Sequence, residues 1–185
     1  MARVLIPLAQ GCEELEAVTL IDLLRRAGIE VVSAGLDAEP VIASRGVKLI
    51  ADVQLDAVLD QAFDMIVLPG GLPGADHLNQ DPRIRQLLHR IQRQGGYLAA
   101  ICAAPKVLAS AGLLDGRQAT AYPGVLEALN LPQIELLEQS VVCDGQLITS
   151  RGPGTAMDFA LTLIEKLSGT AKRQEVEKAL MRPSS

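Results

Sequence analysis

The strongest candidate for chemistry in this sequence is a cysteine that follows an apolar run. The run Tyr97–Ile101 predicts a buried strand, and Cys102 comes directly after it, where a helix is predicted to begin. Ala100 and Ala104 flank Cys102 two positions away on either side, which is the spacing of a nucleophile elbow with Cys in place of Ser. In such a turn the thiol can attack a carbonyl carbon while the N–H of Ala103 faces the oxygen that becomes negative. A helix N-terminus behind the thiol also predicts a lowered pKa for it. The alternative is a core cysteine, because Cys is among the most buried residue types.

A glycine-rich loop follows a second apolar run, Met65–Leu68. Gly70 and Gly71 lie in this loop, and their N–H groups can face a developing negative charge. The loop is not a phosphate-binding loop because the Gly-Lys-Ser/Thr ending is absent. An ordinary strand-to-helix turn explains this segment equally well when it is taken alone.

Three acidic residues, Glu13, Glu14 and Glu16, begin a predicted helix after the first strand. Favourable interaction with the helix dipole explains two of them. Glu16 shares its helix face with Leu20 and Leu23, so we expect it to be partly buried. A carboxyl group in an apolar pocket keeps its proton and can donate a hydrogen bond to a thiolate.

The histidines and cysteines limit the possible mechanisms. His77 and His89 both precede Cys102, so the Cys…His…acid order of class I glutamine amidotransferases is absent. We expect both histidines at surface or capping positions. Cys12, Cys102 and Cys143 are odd in number and widely spaced, which favours reduced thiols and a cytoplasmic location over a disulfide framework. No cysteine pair has metal-ligand spacing, and no metal site is predicted.

Composition excludes several classes of protein. Hydrophobic residues make up 49% of the 185 residues, which excludes intrinsic disorder. The net charge is −5, aromatics are 2%, and basic residues do not form a stripe, so a nucleic-acid-binding protein is disfavoured, although damaged bases as small substrates stay open. No apolar run reaches the roughly 18 residues of a membrane span, and no signal peptide is recognisable. The expected partners therefore include neither membranes nor sequence-specific nucleic acid.

Apolar strands alternate with helical patterns along the whole chain. This alternation predicts one α/β domain over residues 1–185 with a doubly wound, mostly parallel sheet. Strands are predicted at residues 4–8, 29–34, 65–68 and 97–101, with two-stranded excursions at 41–50 and 141–148. Helices are predicted at residues 14–27, 82–94, 106–111, 155–167 and 174–181, followed by a frayed tail at 182–185. Ligands bind beyond the carboxyl ends of such strands, where the candidate residues lie.

Six segments together resemble the ThiJ/PfpI superfamily, and most closely its branch of YajL-like proteins and the Parkinson-associated deglycase. In chain order they are GCEELEAV at 11–18, DLLRRAGI at 22–29, SRGV at 44–47, VLPGG at 67–71, AAICAAP at 99–105 and TSRGPGT at 149–155. The resemblance covers almost the whole chain. It implies a single ThiJ/PfpI-type domain with a flavodoxin-like sheet sandwiched by helices, a nucleophile elbow, and a homodimer.

The resemblance also implies roles for individual residues. Cys102 falls on an oxidation-sensitive nucleophile, and Glu16 on a protonated carboxyl that contacts its sulfur. Gly70, Gly71 and Ala103 fall on the backbone donors of an oxyanion site.

A rim around the pocket and the dimer interface is also implied. Its predicted members are Glu14, Arg26, Arg45, Tyr122, Gly152 and Pro153. Tyr122 replaces a histidine of the human member, and a neutral phenol is not a base near neutral pH. Cys12 stands where related chains carry Ala or Ser; it is either a resolving thiol or, as we expect, a small buried residue.

The resemblance implies a cofactor-independent deglycase or glyoxalase III-like enzyme. Its substrates are small aldehydes such as methylglyoxal and glyoxal, or their adducts on proteins and nucleotides, and its role is protection against reactive dicarbonyls and oxidative stress. One alternative is a redox-responsive chaperone or sensor without important turnover. A PfpI-type peptidase is less favoured, because that branch carries a histidine where Ala103 stands.

Overall fold

The computed structural model describes residues 1–182, so the predicted tail lies outside the described residues apart from Arg182. Its strands alternate with helices from the first residues onward. The strands are β1 (Arg3–Leu8), β2 (Glu30–Gly35), β3 (Val41–Ile42), β4 (Lys48–Leu49), β5 (Val53–Gln54), β6 (Met65–Leu68), β7 (Tyr97–Ile101), β8 (Gln118–Ala119), β9 (Glu135–Leu136), β10 (Val141–Asp144) and β11 (Leu147–Ser150). The α-helices are α1 (Glu14–Arg26), α2 (Gly74–Gln80), α3 (Pro82–Arg93), α4 (Pro105–Ser110), α5 (Ala156–Ser168) and α6 (Thr170–Ala179).

Seven of these strands form one sheet in the order β10-β11-β7-β6-β1-β2-β5. All neighbours in this sheet are parallel except β10 and β11, which form the hairpin predicted around Asp144 and Gly145. The chain adds strands on one side of β1 and then returns to place β6 on the other side. The strand order therefore reverses between β1 and β6, which opens a crevice at the carboxyl ends of these two strands.

The central strands are buried on both faces by helices. All four residues of β6 are buried, as the uninterrupted apolar run predicts for a parallel strand. One apolar cluster packs α3 and α4 against one face of the sheet, and a second packs α1 and α5 against the other. The sheet is thus rigidly held where β1, β6 and β7 end, and these ends carry the candidate residues.

Most predicted elements are confirmed within one to three residues, apart from α6, whose start lies four residues before the predicted one. The Asp81 side chain caps α3 by accepting from the Arg83 N–H at 2.9 Å, and Pro82 occupies its first turn. Helix α2 was not among the predicted helices; it begins at Gly74, directly after the glycine-rich loop. Within residues 1–182, no helix is long and apolar enough to cross a membrane.

Candidate active site

Cys102 lies in a tight turn between β7 and α4. Its φ is +63°, a left-handed conformation that is uncommon for a residue with a Cβ and that persists only where surrounding contacts hold it. Here the Cys102 N–H donates to the Ser150 carbonyl at 3.0 Å, and the Tyr122 N–H donates to the Cys102 carbonyl at 2.9 Å. The predicted nucleophile elbow is confirmed.

Glu16 points from α1 into the same space and is fully buried. Its Oε2 accepts a hydrogen bond from the Gly70 N–H at 2.8 Å. Its Oε1 is buried without a hydrogen bond to any N or O atom within residues 1–182, and its carboxyl group interacts with the Cys102 thiol. The burial expected from Leu20 and Leu23 is confirmed, because these leucines are buried beside it.

Burial raises the pKa of Glu16 to about 7, although the hydrogen bonds with Gly70 and Cys102 partly oppose this. Burial and the charge of Glu16 raise the pKa of Cys102 to about 12, against the N–H groups of Gly71 and Ala103, which lower it. Between these two values the pair therefore holds one proton and one negative charge. When the proton lies on Glu16, Cys102 is the thiolate, and the neutral carboxyl group no longer repels its negative charge.

The prediction of a lowered pKa for Cys102 is therefore wrong for the resting pair. That prediction relied on a helix N-terminus directly behind the thiol. Instead α4 begins three residues later, at Pro105, and is only six residues long. The burial of the thiol and the neighbouring Glu16 outweigh this short helix.

Gly70 has a different role from the one implied by the resemblance. Its N–H is occupied by Glu16, so it holds the carboxyl group and is not free to donate to an oxyanion. The N–H groups of Gly71 and Ala103 do face the Cys102 sulfur. Gly71 has a φ of +86°, and a Cβ there would lie 2.3 Å from the Glu13 nitrogen. A side chain at position 71 is thus excluded by both conformation and space.

Substitution of Gly70 by alanine is expected to disrupt the site. Its Cβ would lie 2.6 Å from Cys102 Cβ and 2.8 Å from Glu16 Oε2, which forces Cys102 or Glu16 to move. We expect a loss of about 1–3 kcal/mol in the free energy of unfolding, measured with denaturant. Gly154→Ala is the matched control, since no atom lies within 4 Å of a Cβ there. Similar behaviour of the two variants would contradict this role for Gly70.

A cavity of about 320 Å³ opens above Cys102. Its floor is formed by Gly71, Cys102 and Ala103. The residues of its polar wall are Glu13, Ser44 and Arg45. The residues of its apolar wall are Leu72, Tyr122, Val125 and Pro153. A larger concavity of about 630 Å³, at the amino ends of the strands, is lined by residues such as Phe63 and Tyr97 and has no cysteine in its wall.

Ser44 organises the polar wall. Its hydroxyl lies 2.9 Å from Glu13 Oε2 and 3.0 Å from Glu14 Oε2, and the Arg45 N–H donates to Glu14 Oε1 at 2.9 Å. Glu14 thus supports the rim from outside the cavity. The Arg45 side chain is exposed and lines the cavity mouth, as the resemblance implies.

Arg26 does not lie near this cavity. It is in the last turn of α1, about 18 Å along the helix axis from Glu14, and forms an exposed ion pair with Asp22 at 2.7 Å. Arg45 contacts Glu14 in the first turn of α1, whereas Arg26 is in the last turn, so the two arginines do not lie close together within one chain. A place of Arg26 at a dimer rim stays a prediction.

The remaining candidate side chains lie away from the cavity. Cys12 is fully buried, and burial together with Glu14 and Glu13 raises its pKa to about 12, as expected for a packed residue rather than a resolving thiol. His77 Nδ1 lies 2.9 Å from the Gln10 carbonyl oxygen. Neither His77 nor His89 lines the cavity. Within residues 1–182, no group of three or more His, Cys, Asp or Glu side chains is arranged to hold a metal ion.

Several residues of the site were not found from the sequence. Ser44 is adjacent to Arg45 in the SRGV segment, and Leu72 follows the two glycines, so both had a local signal. Val125 had none, because it reaches the cavity only through the turn that Tyr122 begins.

The site combines a buried glutamate, Glu16, with a cysteine, Cys102, in a tight strand-to-helix turn. Both lie at the carboxyl ends of the central strands of a flavodoxin-like sheet, near the point where the strand order reverses. This combination defines a class of thiol-containing α/β proteins. Residues 2–166 match the model of the DJ-1/PfpI family. The chain belongs to the DJ-1/PfpI family.

Individual relatives agree with this assignment. Protein dj-1beta of Drosophila melanogaster is 46% identical over 178 residues, which cover 96% of this chain and 95% of the relative. The glutathione-independent glyoxalase DJR-1.2 of Caenorhabditis elegans is 37% identical over 179 residues, covering 97% and 95%. The crystal structure of the Drosophila DJ-1beta superposes with a TM-score of 0.94 at 43% identity and covers 99% of both chains.

Proposed function

We propose that this protein is a glyoxalase that converts free methylglyoxal to lactate, and glyoxal to glycolate, without a cofactor. The observation that carries the proposal is the pair of Cys102 and fully buried Glu16, which shares one proton at the floor of the cavity. The name of the nematode relative, a glutathione-independent glyoxalase, supports the same chemistry.

The reaction begins when Cys102 Sγ adds to the aldehyde carbon C1 of methylglyoxal. The N–H groups of Gly71 and Ala103, which face the sulfur, are placed to donate to the new oxyanion. The oxyanion takes the proton from Glu16, which leaves a hemithioacetal and a carboxylate.

An internal redox step follows. The Glu16 carboxylate removes the C1 proton and delivers it to the C2 oxygen, which forms an enediol. It then takes the proton of the C1 hydroxyl group and delivers it to C2. C1 is thereby oxidised to a thioester and C2 is reduced to an alcohol, so no external oxidant is needed. Water then attacks the thioester, lactate leaves, and the thiol is restored.

The size of the cavity favours free dicarbonyls over adducts. A volume of about 320 Å³ lies at the lower end of small-molecule pockets, so it can enclose a free dicarbonyl completely but only the modified end of a protein or nucleotide adduct. Deglycase activity is therefore the less supported form of this proposal. A redox sensor would use the same Cys102 thiolate, so the raised pKa of Cys102 does not separate the two functions, and turnover of methylglyoxal decides between them. The homodimer and the cytoplasmic location stay predictions.

We expect lactate to appear from methylglyoxal in a buffer without added thiols, which would scavenge the aldehyde. Because the active pair has lost one of its two protons, kcat/KM should rise with pH through about 7 and then level off. The test is direct measurement of lactate across a pH series. Loss of methylglyoxal without lactate would refute a glyoxalase, and a rate independent of pH between 5 and 9 would refute the shared proton.

A further inference from the structure

The apolar wall of the cavity includes the ring of Tyr122, a residue whose backbone is held by two hydrogen bonds. The Tyr122 N–H donates to the Cys102 carbonyl at 2.9 Å, and the Tyr122 carbonyl accepts from the Val125 N–H at 3.1 Å. The backbone of Tyr122 is thus tied to the nucleophile, whereas the residue as a whole is 52% exposed. The ring lies in the cavity wall and is not locked into the core.

Gly152 provides the space against which this ring packs. A Cβ at position 152 would lie 3.3 Å from Tyr122 Cδ2 and 3.9 Å from Tyr122 Cε2, and no other atom outside its chain neighbours lies within 4 Å. The φ of Gly152 is 169°, an extended conformation that any residue adopts. Glycine at position 152 therefore makes room for the Tyr122 ring, and the backbone conformation there does not require glycine.

The two walls of the cavity orient an α-oxoaldehyde that is bonded to Cys102. With C1 on the sulfur and its oxygen facing the N–H groups of Gly71 and Ala103, the C2 substituent extends toward the cavity mouth. An apolar C2 substituent binds more favourably where it leaves water, which happens only at the apolar wall that includes Tyr122. The polar wall, which contains the acidic Glu13 and the basic Arg45, offers an apolar substituent no such gain.

We infer that Tyr122, seated on Gly152, determines the size of the C2 substituent that the enzyme accepts. The inference rests on the proposed glyoxalase function and assigns its substrates to α-oxoaldehydes with hydrogen or a methyl group at C2. A change in the size of an apolar pocket alters discrimination by about 10–200-fold. The ring, not the hydroxyl group, is the part of Tyr122 that excludes larger substrates.

The test compares kcat/KM for phenylglyoxal and methylglyoxal in the wild type and in variants. Tyr122→Ala is expected to raise the phenylglyoxal-to-methylglyoxal ratio about tenfold or more. Tyr122→Phe keeps the ring and should keep the ratio. Gly152→Ala forces the ring to move and should change the ratio, whereas Gly154→Ala, in the same loop with no atom near its Cβ, should not.

A second readout does not depend on turnover. The rates of Cys102 alkylation by iodoacetamide and by its N-phenyl derivative, followed by mass spectrometry, report access to the thiol for a small and a large group. The larger reagent should gain most in Tyr122→Ala. If the wild type makes no lactate, the proposed function is wrong, and the alkylation ratio still decides the role of Tyr122. Unchanged ratios in Tyr122→Ala, or an equal change in Tyr122→Phe, would overturn the inference.

Discussion

Replacement of Cys102 by serine is expected to reduce the conversion of methylglyoxal to lactate by about 10³-fold or more. Serine preserves the elbow and its hydrogen bonds, but its hydroxyl group is far less acidic than a thiol. A serine hydroxyl group therefore forms almost no oxyanion near neutral pH, whereas a thiol that shares a proton with Glu16 can form the thiolate. The measurement is lactate formation by purified protein over a time course.

Cys143→Ser is the matched control for this variant. Cys143 lies on β10, is exposed and does not line the cavity, so its loss should leave the rate unchanged. Far-ultraviolet circular dichroism of both variants would establish that they fold alike. Undiminished lactate formation by the Cys102→Ser protein would refute the assignment of the nucleophile.

Replacement of Glu16 by glutamine is expected to lower kcat by about 10²–10⁴-fold, the usual contribution of a general acid–base group. Glutamine has the same shape, and its carbonyl oxygen can still accept from the Gly70 N–H, so the change removes mainly the titrating proton. The rise of the rate through pH of about 7 should disappear with it. A residual rate with an unchanged pH profile would show that another group supplies the proton.

The same variant has a distinct signature in stability. Glu16 ionises at its ordinary value of 4.5 in the unfolded chain, but it keeps its proton up to about 7 when folded. Unfolding therefore releases a proton in this window, and the wild type loses about 3 kcal/mol of stability as pH rises from 4.5 to 7. Glutamine cannot titrate, so the Glu16→Gln protein should show a flatter curve in denaturant titrations. Parallel curves for the two proteins would contradict a buried, protonated Glu16.

Local spacing predicted the tight turn at Cys102 and the burial of Glu16, whereas contacts between distant segments could not be predicted from the sequence. Ala100 and Ala104 marked the elbow, and Leu20 and Leu23 placed Glu16 on a buried face. The hydrogen bond between Glu16 and Gly70 joins residues 54 positions apart, so no spacing rule indicated that the Gly70 N–H is occupied.

Other differences between prediction and structure have equally specific causes. Helix α2 was missed because it begins with glycine after a proline, a composition typical of loops. Gly74 is needed there because a Cβ would lie 2.6 Å from the Cys12 Cα. Arg26 was placed by resemblance alone, which carries no information about how far a helix extends from the site.

The chain has so few aromatic residues that a tyrosine in the cavity wall contributes a large share of the intrinsic fluorescence. The chain has no tryptophan, and its two tyrosines are Tyr97 and Tyr122. Tyr97 begins β7, at the end of the sheet opposite the cavity, whereas Tyr122 lies in the cavity wall. Tyrosine fluorescence of the unlabelled protein therefore combines a signal from one ring in the cavity wall with a signal from one ring outside it. Binding in the cavity can be titrated directly, without an attached dye, with Tyr122→Phe as the variant that lacks the signal from the cavity.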